Sequence, residues 1–520
     1  MTATGHENGW IRQIPLELVP PSIQDNTADA DRLLAAIRKA LKTERVSAGI
    51  ALIRRIPAVL RDCRYRVRAL VWEKEPGAWH LMDLYAPEER GAFFGAAVDL
   101  GTTTLVVRLV DLLSGETMRE VSFANPQIPM GPDILTRIHH AAQPEGLAAL
   151  RNAVLDGVNR ELGRLAESEG VEAAQIAGVS LAGNTTMSHL FLGLDPYWIC
   201  REPYIPVINA PDPFTAADLG LKIHPEAPVL VLPSVGSYFG GDLIAGILAS
   251  GIYREESLSI LVDVGTNAEV VLGNRDWLVG CAGAAGPALE GGVANIGMTA
   301  SPGVIDRVSM DPASGDLRIR TIDNRPPVGI CGSGLIDLVA HLFLSGRIDA
   351  RGKFVAERCG DRLTGAEGMR QFVVVPKGGS GTGDDLTLGQ SDLDALVRSK
   401  AAMYTILTTV TRMVNVSMKE IRNFYTAGTF GLHIDPRSAI VLGMLPDLPI
   451  ETYKPLGNTS LAGATQVLLS SSARKQIREI RNRVTYVELN VNQEFMNLFN
   501  GARFIPHTDR TLFPSVTNDK

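Results

Sequence analysis

Two aspartates in this chain, Asp99 and Asp263, stand in closely similar surroundings. Each ends an apolar run and is followed, after one residue, by glycine and small polar residues: AAVDLGTTTL at 96–105 and ILVDVGTNAE at 260–269. A strand that runs into such a turn brings backbone amides and hydroxyls close to phosphate oxygens, and an aspartate at its end is a ligand for a metal ion. We therefore expect a nucleotide to be clamped between two related lobes.

Three further polar residues follow glycines or strand ends and are candidates for the same site. Asn184 and Thr185 lie between a predicted strand and a predicted helix, in GNTTM at 183–187. Helix N-termini bind anions through free amides, although simple N-caps are an equal alternative. Asp242 follows two glycines in YFGGDL at 238–243 and opens a predicted helix. It either caps that helix, or positions or deprotonates a water that attacks the γ-phosphate.

Glycine-rich turns later in the chain are candidates for lining the same cleft. In the AGTFG segment, Gly428 and Gly431 would let an adenine ring lie against the backbone. Two more segments, GPALEGG at 286–292 with its acidic residue Glu290 and CGSGL at 331–335, are further candidates. Glu290 is a candidate second contact to metal or water. A plain turn or a surface loop explains these segments equally well.

The elements that must position these residues divide the chain into three predicted domains. Residues 1–93 form a small α+β domain, in which the apolar stripe predicts a helix over 29–42. The two lobes then cover 94–257 and 258–520, and we expect the C-terminal segment to return to the first lobe. Within the first lobe the pattern is βαβ-like, with a long helix predicted over 145–169.

Composition excludes several classes of partner. The net charge of −7 disfavours binding to nucleic acids and to anionic membranes, because nothing offsets phosphate repulsion. The basic run at 474–483 is predicted to be a helix with a solvated face. The sequence shows no apolar signal peptide and no uninterrupted apolar stretch that would span a bilayer. No two of the five cysteines lie at a metal-binding spacing, and a reducing, cytoplasmic compartment is expected.

The order of five motifs resembles the superfamily of acetate and sugar kinases, heat-shock chaperones and actin. These motifs are DLGTTT, GNTT, DVGTN, TAGTFG and GNTSLAGA. Within that superfamily the chain is most similar to the reductive activators of corrinoid proteins, on the segments LVPPSIQDNTADADRLL, YFGGDLIAG, GPALEGG, GICGSGLIDLVA and YVELNVNQEFMNLFNGARFIPH. The similarity runs from about residue 15 to residue 507. It implies an α/β fold with two actin-like, ribonuclease H-like ATPase lobes after a small α+β domain.

The resemblance also implies a function and a set of site residues. Such activators couple the use of ATP to returning an electron to cobalt, from inactive Co(II) to Co(I). Asp99 and Asp263 would hold Mg²⁺, directly or through water, and Asp242 matches the position of the catalytic aspartate in sugar kinases of the superfamily. The residues expected to contact ATP are Gly101, Thr102, Thr103, Thr104, Asn184, Thr185, Gly265, Thr266, Asn267, Gly332, Ser333, Gly428, Phe430 and Gly431.

One departure from these activators concerns electron delivery. They commonly carry an iron–sulfur domain, whereas the five cysteines here are too scattered to hold a cluster within one motif. We therefore expect no iron–sulfur cluster in this chain and a separate ferredoxin-like donor; cluster-bearing sequence outside this chain, or another use of the ATPase, is an alternative. The expected partner is a corrinoid protein or corrinoid methyltransferase, and a homodimer is left open. A small-molecule kinase and a nucleotide-binding adaptor without turnover are the competing functions.

Overall fold

The computed structural model describes residues 9–89, 93–265, 268–283, 294–311, 316–366, 369–487 and 493–516. The chain divides into two compact units. The first unit comprises Met1–Ala249 together with Ser460–Asn482, and the second comprises Ser250–Thr459 together with Arg483–Lys520. Each unit is built around its own six-stranded sheet.

The first unit begins with a four-stranded sheet that is covered by two helices. Its strands lie in the order β1-β3-β4-β2. Leu33 and Ile37 of the first helix and Ile56 and Leu60 of the second are fully buried, because residues four apart share one helix face. The elements are β1 (Ile11–Glu17), α1 (Asp29–Leu41), β2 (Arg45–Ala48), α2 (Ile50–Asp62), β3 (Arg66–Glu75) and β4 (Ala78–Tyr85).

The six-stranded sheet of the first unit has the order β7-β6-β5-β8-β10-β9. Three antiparallel strands form a meander, and its first strand, β5, pairs in parallel with β8, which pairs in parallel with β10. Every residue of β8 is buried, as expected for a central parallel strand that is covered on both faces. The strands are β5 (Phe94–Leu100), β6 (Thr104–Asp111), β7 (Thr117–Ala124), β8 (Ile176–Gly183), β9 (Phe214–Thr215) and β10 (Pro228–Val231).

Helices from two parts of the sequence accompany this sheet. The helix at Thr459–Leu469 is tied to it by hydrogen bonds: Ser180 Oγ in β8 donates to the carbonyl of Ala464 at 2.6 Å, and Arg108 Nη1 in β6 donates to Thr465 Oγ1 at 3.1 Å. The helices are α3 (Ile134–Ala141), α4 (Gly146–Ser168), α5 (Thr185–Leu192), α6 (Ala216–Leu219), α7 (Gly241–Ser250), α13 (Thr459–Leu469) and α14 (Ser471–Arg483).

The six-stranded sheet of the second unit has the order β21-β20-β11-β12-β13-β22. Here too a three-stranded antiparallel meander is extended by two parallel strands on the side of its first strand. The strands are β11 (Ser259–Val264), β12 (Ala268–Gly273), β13 (Leu278–Gly283), β20 (Asn423–Ala427), β21 (Tyr453–Gly457) and β22 (Val484–Val487).

Two three-stranded sheets and six helices complete the described part of the second unit. Its core joins the six-stranded sheet to α8 and α10, on residues such as Ile260, Val270, Leu338 and Ile406. The remaining elements are β14 (Val304–Met310), β15 (Leu317–Thr321), β16 (Gly329–Ile330), α8 (Gly332–Leu344), α9 (Ala356–Cys359), β17 (Leu363–Thr364), β18 (Gln371–Val375), β19 (Leu386–Gly389), α10 (Gln390–Met413), α11 (Gly428–His433), α12 (Pro436–Leu442) and α15 (Gln493–Ala502).

The two large sheets share one topology. Numbered within each unit, five strands lie in the order 3-2-1-4-5, with strands 1 to 3 antiparallel and strands 4 and 5 parallel to strand 1. The sequence prediction of two α/β lobes of ribonuclease H-like topology after a small α+β domain is thereby confirmed. Each acidic turn of the sequence repeat occupies the same place, between strands 1 and 2 of its sheet.

The basic run at 474–483 is helical, and Lys475, Arg478 and Glu479 lie on an exposed face as expected. The opposite face is buried: Arg474 is only 6% exposed, and Ile477 and Ile480 are buried beside it. The guanidinium of Arg474 lies over the ring of Trp10, 4.8 Å from its centroid, because the helix packs against the N-terminal sheet of its own unit. None of the helices in the described part of the chain has the length and apolar character that crossing a bilayer requires.

Candidate functional site

In the first unit, Asp99 lies at the carboxyl end of β5, the central strand of its sheet. The neighbouring parallel strand places Ala182 beside it, so that both strands end at the same edge. Its carboxylate is half-buried, and Oδ1 accepts a hydrogen bond of 2.7 Å from Ser460 Oγ, at the start of α13. The hydrogen bond from Ser460 therefore fixes the orientation of the Asp99 carboxylate at the end of its strand.

The turn that follows Asp99 is held in place by hydrogen bonds that its carbonyl groups accept from neighbouring residues. Asn125 Nδ2 donates to the carbonyl of Gly101 at 2.9 Å, and the Asn125 amide donates to that of Thr103 at 2.8 Å. Arg137 Nη2 donates to the carbonyl of Thr102 between them, at 2.6 Å. In a trans peptide the N–H points opposite to the C=O. The amides of residues 102–104 are therefore turned away from the groups that hold the carbonyls, as a phosphate-binding turn requires.

Asn184 lies beside this turn and has two roles. Its Oδ1 accepts from the amide of Met187 at 2.9 Å, which makes it the N-cap of α5. Its Nδ2 donates to Thr102 Oγ1 at 3.1 Å. The N-cap considered for Asn184 is thus observed, and the same side chain is hydrogen-bonded to the turn that follows Asp99. Thr185 is buried and its hydroxyl donates to the carbonyl of Gly236 at 3.0 Å.

Asp242 lies in the first turn of α7 and belongs to the same cluster. The loop before it passes very close to the Asn184 turn: a Cβ placed on Gly240 would lie 2.4 Å from Asn184 Cα, so only glycine fits. The pKa of Asp242 is raised to about 7, mainly because the group is buried and in addition because of the negative charge of Asp99. Gly240 thus lies against Asn184, which is hydrogen-bonded to Thr102 of the turn after Asp99, and the Asp99 charge acts on Asp242.

These groups fit a magnesium ion and a polyphosphate. Two carboxylates whose charges repel each other, one of them with a raised pKa, are stabilised by a divalent cation, and carboxylate oxygens are ligands that Mg²⁺ accepts. The amides of the adjacent turn are donors suited to phosphate oxygens. Among the described residues no group of three or more His, Cys, Asp or Glu side chains is arranged to hold a metal, so water and substrate oxygens would complete the shell.

In the second unit, Asp263 lies at the corresponding strand end, in β11. It pairs with Glu269 across the hairpin and with Ala427 in the parallel strand β20. Gly428 follows at once with φ of +79°, and a Cβ on it would lie 2.8 Å from Asp263 Oδ1. This close approach requires glycine and leaves a side-chain-free surface next to the carboxylate.

The other candidates of the second unit are placed as follows. Gly265 lies in the bend after Asp263, and Gly431 lies in α11, where its carbonyl accepts from Thr426 Oγ1 at 3.0 Å. Gly332 opens α8, and the hydroxyl of Ser333 is buried and donates to the carbonyl of Asp306 at 3.1 Å. Ser333 therefore has a structural partner. Thr266, Asn267, Glu290 with the segment 286–292, and the side chain of Phe430 lie outside the described residues.

The sequence analysis missed three residues that hold Asp99 and the turn that follows it: Asn125, Arg137 and Ser460. Ser460 belongs to the GNTSLAGA motif, which was singled out without a role for this hydroxyl. Asn125 and Arg137 lie in a segment that carries no motif. In the sequence, Asn125 is visible only as an asparagine after a strand and Arg137 only as an arginine within a helix. Neither pattern identifies the partner, which is Gly101, 24 residues away, for Asn125 and Thr102, 35 residues away, for Arg137.

Family models match nearly all of the chain. A model described as the C-terminal domain of RACo, the ASKHA domain, matches residues 257–517. Models described as the RACo middle region and the RACo linker region match residues 94–255 and 8–90.

Two curated relatives and one solved structure are similar over most of their length. The corrinoid activation enzyme RamQ of Eubacterium limosum is 30% identical over 423 residues, which are 79% of this chain and 70% of that protein. A [Co(II) methylated amine-specific corrinoid protein] reductase of Methanosarcina barkeri is 23% identical over 439 residues, which are 78% of this chain and 76% of that protein. The structure of a reductive activator for corrinoid, iron-sulfur protein superposes with a TM-score of 0.90 at 38% identity, covering 98% of this chain and 81% of that chain.

Proposed function

Since this chain belongs to the RACo family of reductive activators, we propose that it hydrolyses ATP to support the return of a corrinoid protein from Co(II) to Co(I). The comparisons support the class of reaction, because the named activities of the relatives are corrinoid activation and the reduction of a Co(II) corrinoid protein. The observation that carries the ATPase part is the pair of carboxyl groups of Asp99 and Asp242 beside a turn whose carbonyls are all tied back.

The residues of the first unit have separate tasks in this proposal. Asp99, oriented by Ser460, holds the metal that accompanies the nucleotide. The amides of residues 102–104 bind phosphate oxygens. Asp242, with its pKa of about 7, accepts a proton from the attacking water or orients that water. Mg²⁺ would supply positive charge against the developing charge on the phosphates.

The residues of the second unit are proposed to hold the rest of the nucleotide. Asp263 would hold Mg²⁺, directly or through water. Gly265, Thr266 and Asn267 would bind the phosphates, and Gly428 and Gly431 would contact the nucleoside, with Phe430 beside them. The side-chain-free approach of Gly428 to Asp263 supports a flat ligand at this strand end.

ATP is proposed to act through a change of state. A ligand shifts a two-state equilibrium only by binding one state better than the other. Binding of ATP would favour the state that grips the corrinoid protein and makes its cobalt easier to reduce, and hydrolysis would reset it. Electrons are proposed to come from a separate ferredoxin-like donor, because the five cysteines are too scattered along the chain to hold a cluster within one motif. A cytoplasmic location is proposed with it.

The experiment mixes the full chain with a Co(II) corrinoid protein and titanium(III) citrate as reductant and follows Co(I) by its visible absorbance. We expect Co(I) to form with MgATP and not without it, and phosphate release to quicken when the corrinoid protein is added. Phosphate release that is indifferent to every corrinoid protein tried, or a phosphorylated small molecule as the product, would refute the proposal.

A further inference from the structure

The side chain of Arg137 is fully buried, yet all of the hydrogen-bond acceptors found for it are uncharged. Its Nε donates to the carbonyl of Gly131 at 2.8 Å and its Nη1 to Gln127 Oε1 at 3.2 Å. Its Nη2 donates to the carbonyl of Thr102, in the phosphate turn, at 2.6 Å. The described part of the chain contains no ion pair between Arg137 and a carboxylate. Asp133, its nearest acidic influence, caps α3.

Burying a guanidinium without an anion costs free energy, because the charged form loses its hydration, and this lowers the pKa of the group. Burial lowers the pKa of Arg137 to about 10, which still leaves the group charged at neutral pH. A single positive charge enclosed by neutral oxygens is stabilised when an anion is bound nearby. The carbonyl of Thr102 joins this charge directly to the peptide whose amide, that of Thr103, faces the other way.

We infer that Arg137 is a positioning residue of the phosphate site: it fixes the Thr102–Thr103 peptide with its amide toward the nucleotide and supplies the buried positive charge that the phosphates offset. This inference rests on the proposed function, in which the Asp99 turn binds the phosphates of ATP. Asn125 holds the peptides on both sides of the one that Arg137 holds, through the carbonyls of Gly101 and Thr103. Arg137 and Asn125 thus form a single support behind the turn.

A second buried arginine in the same unit gives a matched control. Arg474 is 6% exposed, burial lowers its pKa to about 10, and its guanidinium also donates to backbone carbonyls, those of Glu73 and Lys74. These carbonyls belong to the end of β3 in the N-terminal sheet. If burying an arginine serves only the fold, the two residues are equivalent. If Arg137 serves the phosphate turn, only its replacement affects nucleotide binding.

The test measures the dissociation constant of MgATP by calorimetry, with the full chain, for wild type, Arg137→Gln, Arg137→Lys and Arg474→Gln, together with their melting temperatures and KM and kcat for ATP. A charge-assisted hydrogen bond contributes about a tenfold effect, so Arg137→Gln should raise the dissociation constant and KM at least about tenfold. Arg137→Lys, which keeps the charge but not the planar fork, should restore part of the affinity. Arg474→Gln should lower the melting temperature and leave affinity within about twofold, since distant sites act independently.

The possible outcomes distinguish failure of the proposed function from failure of the role assigned to Arg137. Wild type that binds no MgATP refutes the proposed function itself. Wild-type affinity in Arg137→Gln, or an equal loss of affinity in Arg474→Gln, refutes the role of Arg137 while the proposed function stands. If Arg137→Gln does not fold, Arg137→Lys decides: a raised dissociation constant and KM with little change in kcat supports positioning, and unchanged values refute it.

Discussion

The turns at Asp99 and Asp263 occupy the same place in sheets of the same topology, but their surroundings differ. At Asp99 the neighbours are polar: Ser460 donates to the carboxylate and Asp242 adds a second carboxyl group. At Asp263 the parallel neighbour strand ends in Gly428, whose lack of a side chain permits the close approach. One strand topology thus places a second carboxyl group near the strand-end aspartate in one unit and a glycine against it in the other.

This difference suggests a division of labour between the two turns. An acidic pair suits metal binding and the activation of water. A glycine surface suits a flat nucleoside that must lie against backbone. Substitution of Asp242 in the acidic pair should therefore affect catalysis more than binding, and substitution of Gly428 at the second turn should affect binding more than catalysis. The following predictions test that contrast, from the largest expected effect to the smallest.

Asp242→Asn should give the largest effect. The amide cannot accept a proton from water, so phosphate release should fall by about 10²–10⁴-fold, the range for loss of a general base. MgATP affinity should change far less. Asp218→Asn is the matched control, because Asp218 is also an acidic residue in the first turn of a helix of this unit and serves only a capping box. A rate within threefold of wild type in Asp242→Asn would remove Asp242 from the chemistry.

Gly428→Ala should weaken nucleotide binding. The new methyl group meets Asp263 Oδ1 and the residue has a positive φ, so the strand end must shift at a cost of about 1–2 kcal/mol, or roughly tenfold in affinity. Gly346→Ala is the control: its φ of +70° imposes the same strain, but no atom lies within 4 Å of the added Cβ. Calorimetric titration with MgATP compares them. Equal affinities in the two variants would contradict the role of Gly428.

Stability should depend on pH through Asp242. Its carboxyl group has a pKa of about 7 in the folded chain against 3.8 for the isolated group, so the folded state binds more protons between these values. The metal-free protein should thus lose stability as pH rises from about 4 to 7, by about 2 kcal/mol for this half-buried group. Asp242→Asn should abolish this part of the loss of stability between pH 4 and 7. Mg²⁺ at pH 8 should stabilise wild type more than the variant. The free energy of unfolding is measured by denaturant titration at several pH values. If it depends on pH equally in both proteins, the raised pKa is contradicted.

Ser460→Ala should give the smallest effect. It removes one hydrogen bond to Asp99 Oδ1, which contributes about 1 kcal/mol to holding the carboxylate. The Mg²⁺ concentration for half-maximal phosphate release should rise several-fold. Ser472→Ala, a change at an exposed serine of α14, serves as the control. If both variants require the same Mg²⁺ concentration as wild type, Ser460 does not support a metal ligand.

The extent to which the sequence predicts this site follows from the range of the interactions involved. The strands that end at Asp99 and Asp263 and the helices opened by Asn184 and Asp242 were predicted because apolar runs, glycines and caps act between near neighbours. Asn125, Arg137 and Ser460 reach the first turn through tertiary contacts that no local pattern encodes. The buried face of α14 could not be predicted for the same reason, since the acceptors of Arg474 lie about 400 residues earlier.

The most direct test of the account counts how many corrinoid proteins one activator can reduce. Wild type and Asp242→Asn, each at about one-tenth of the concentration of a Co(II) corrinoid protein, are given MgATP and titanium(III) citrate, and the final Co(I) is measured by absorbance. If hydrolysis at the Asp99–Asp242 pair resets the protein, wild type should reduce the whole pool, whereas Asp242→Asn should stop at about one equivalent of itself. Complete reduction by Asp242→Asn at the wild-type rate would contradict the account.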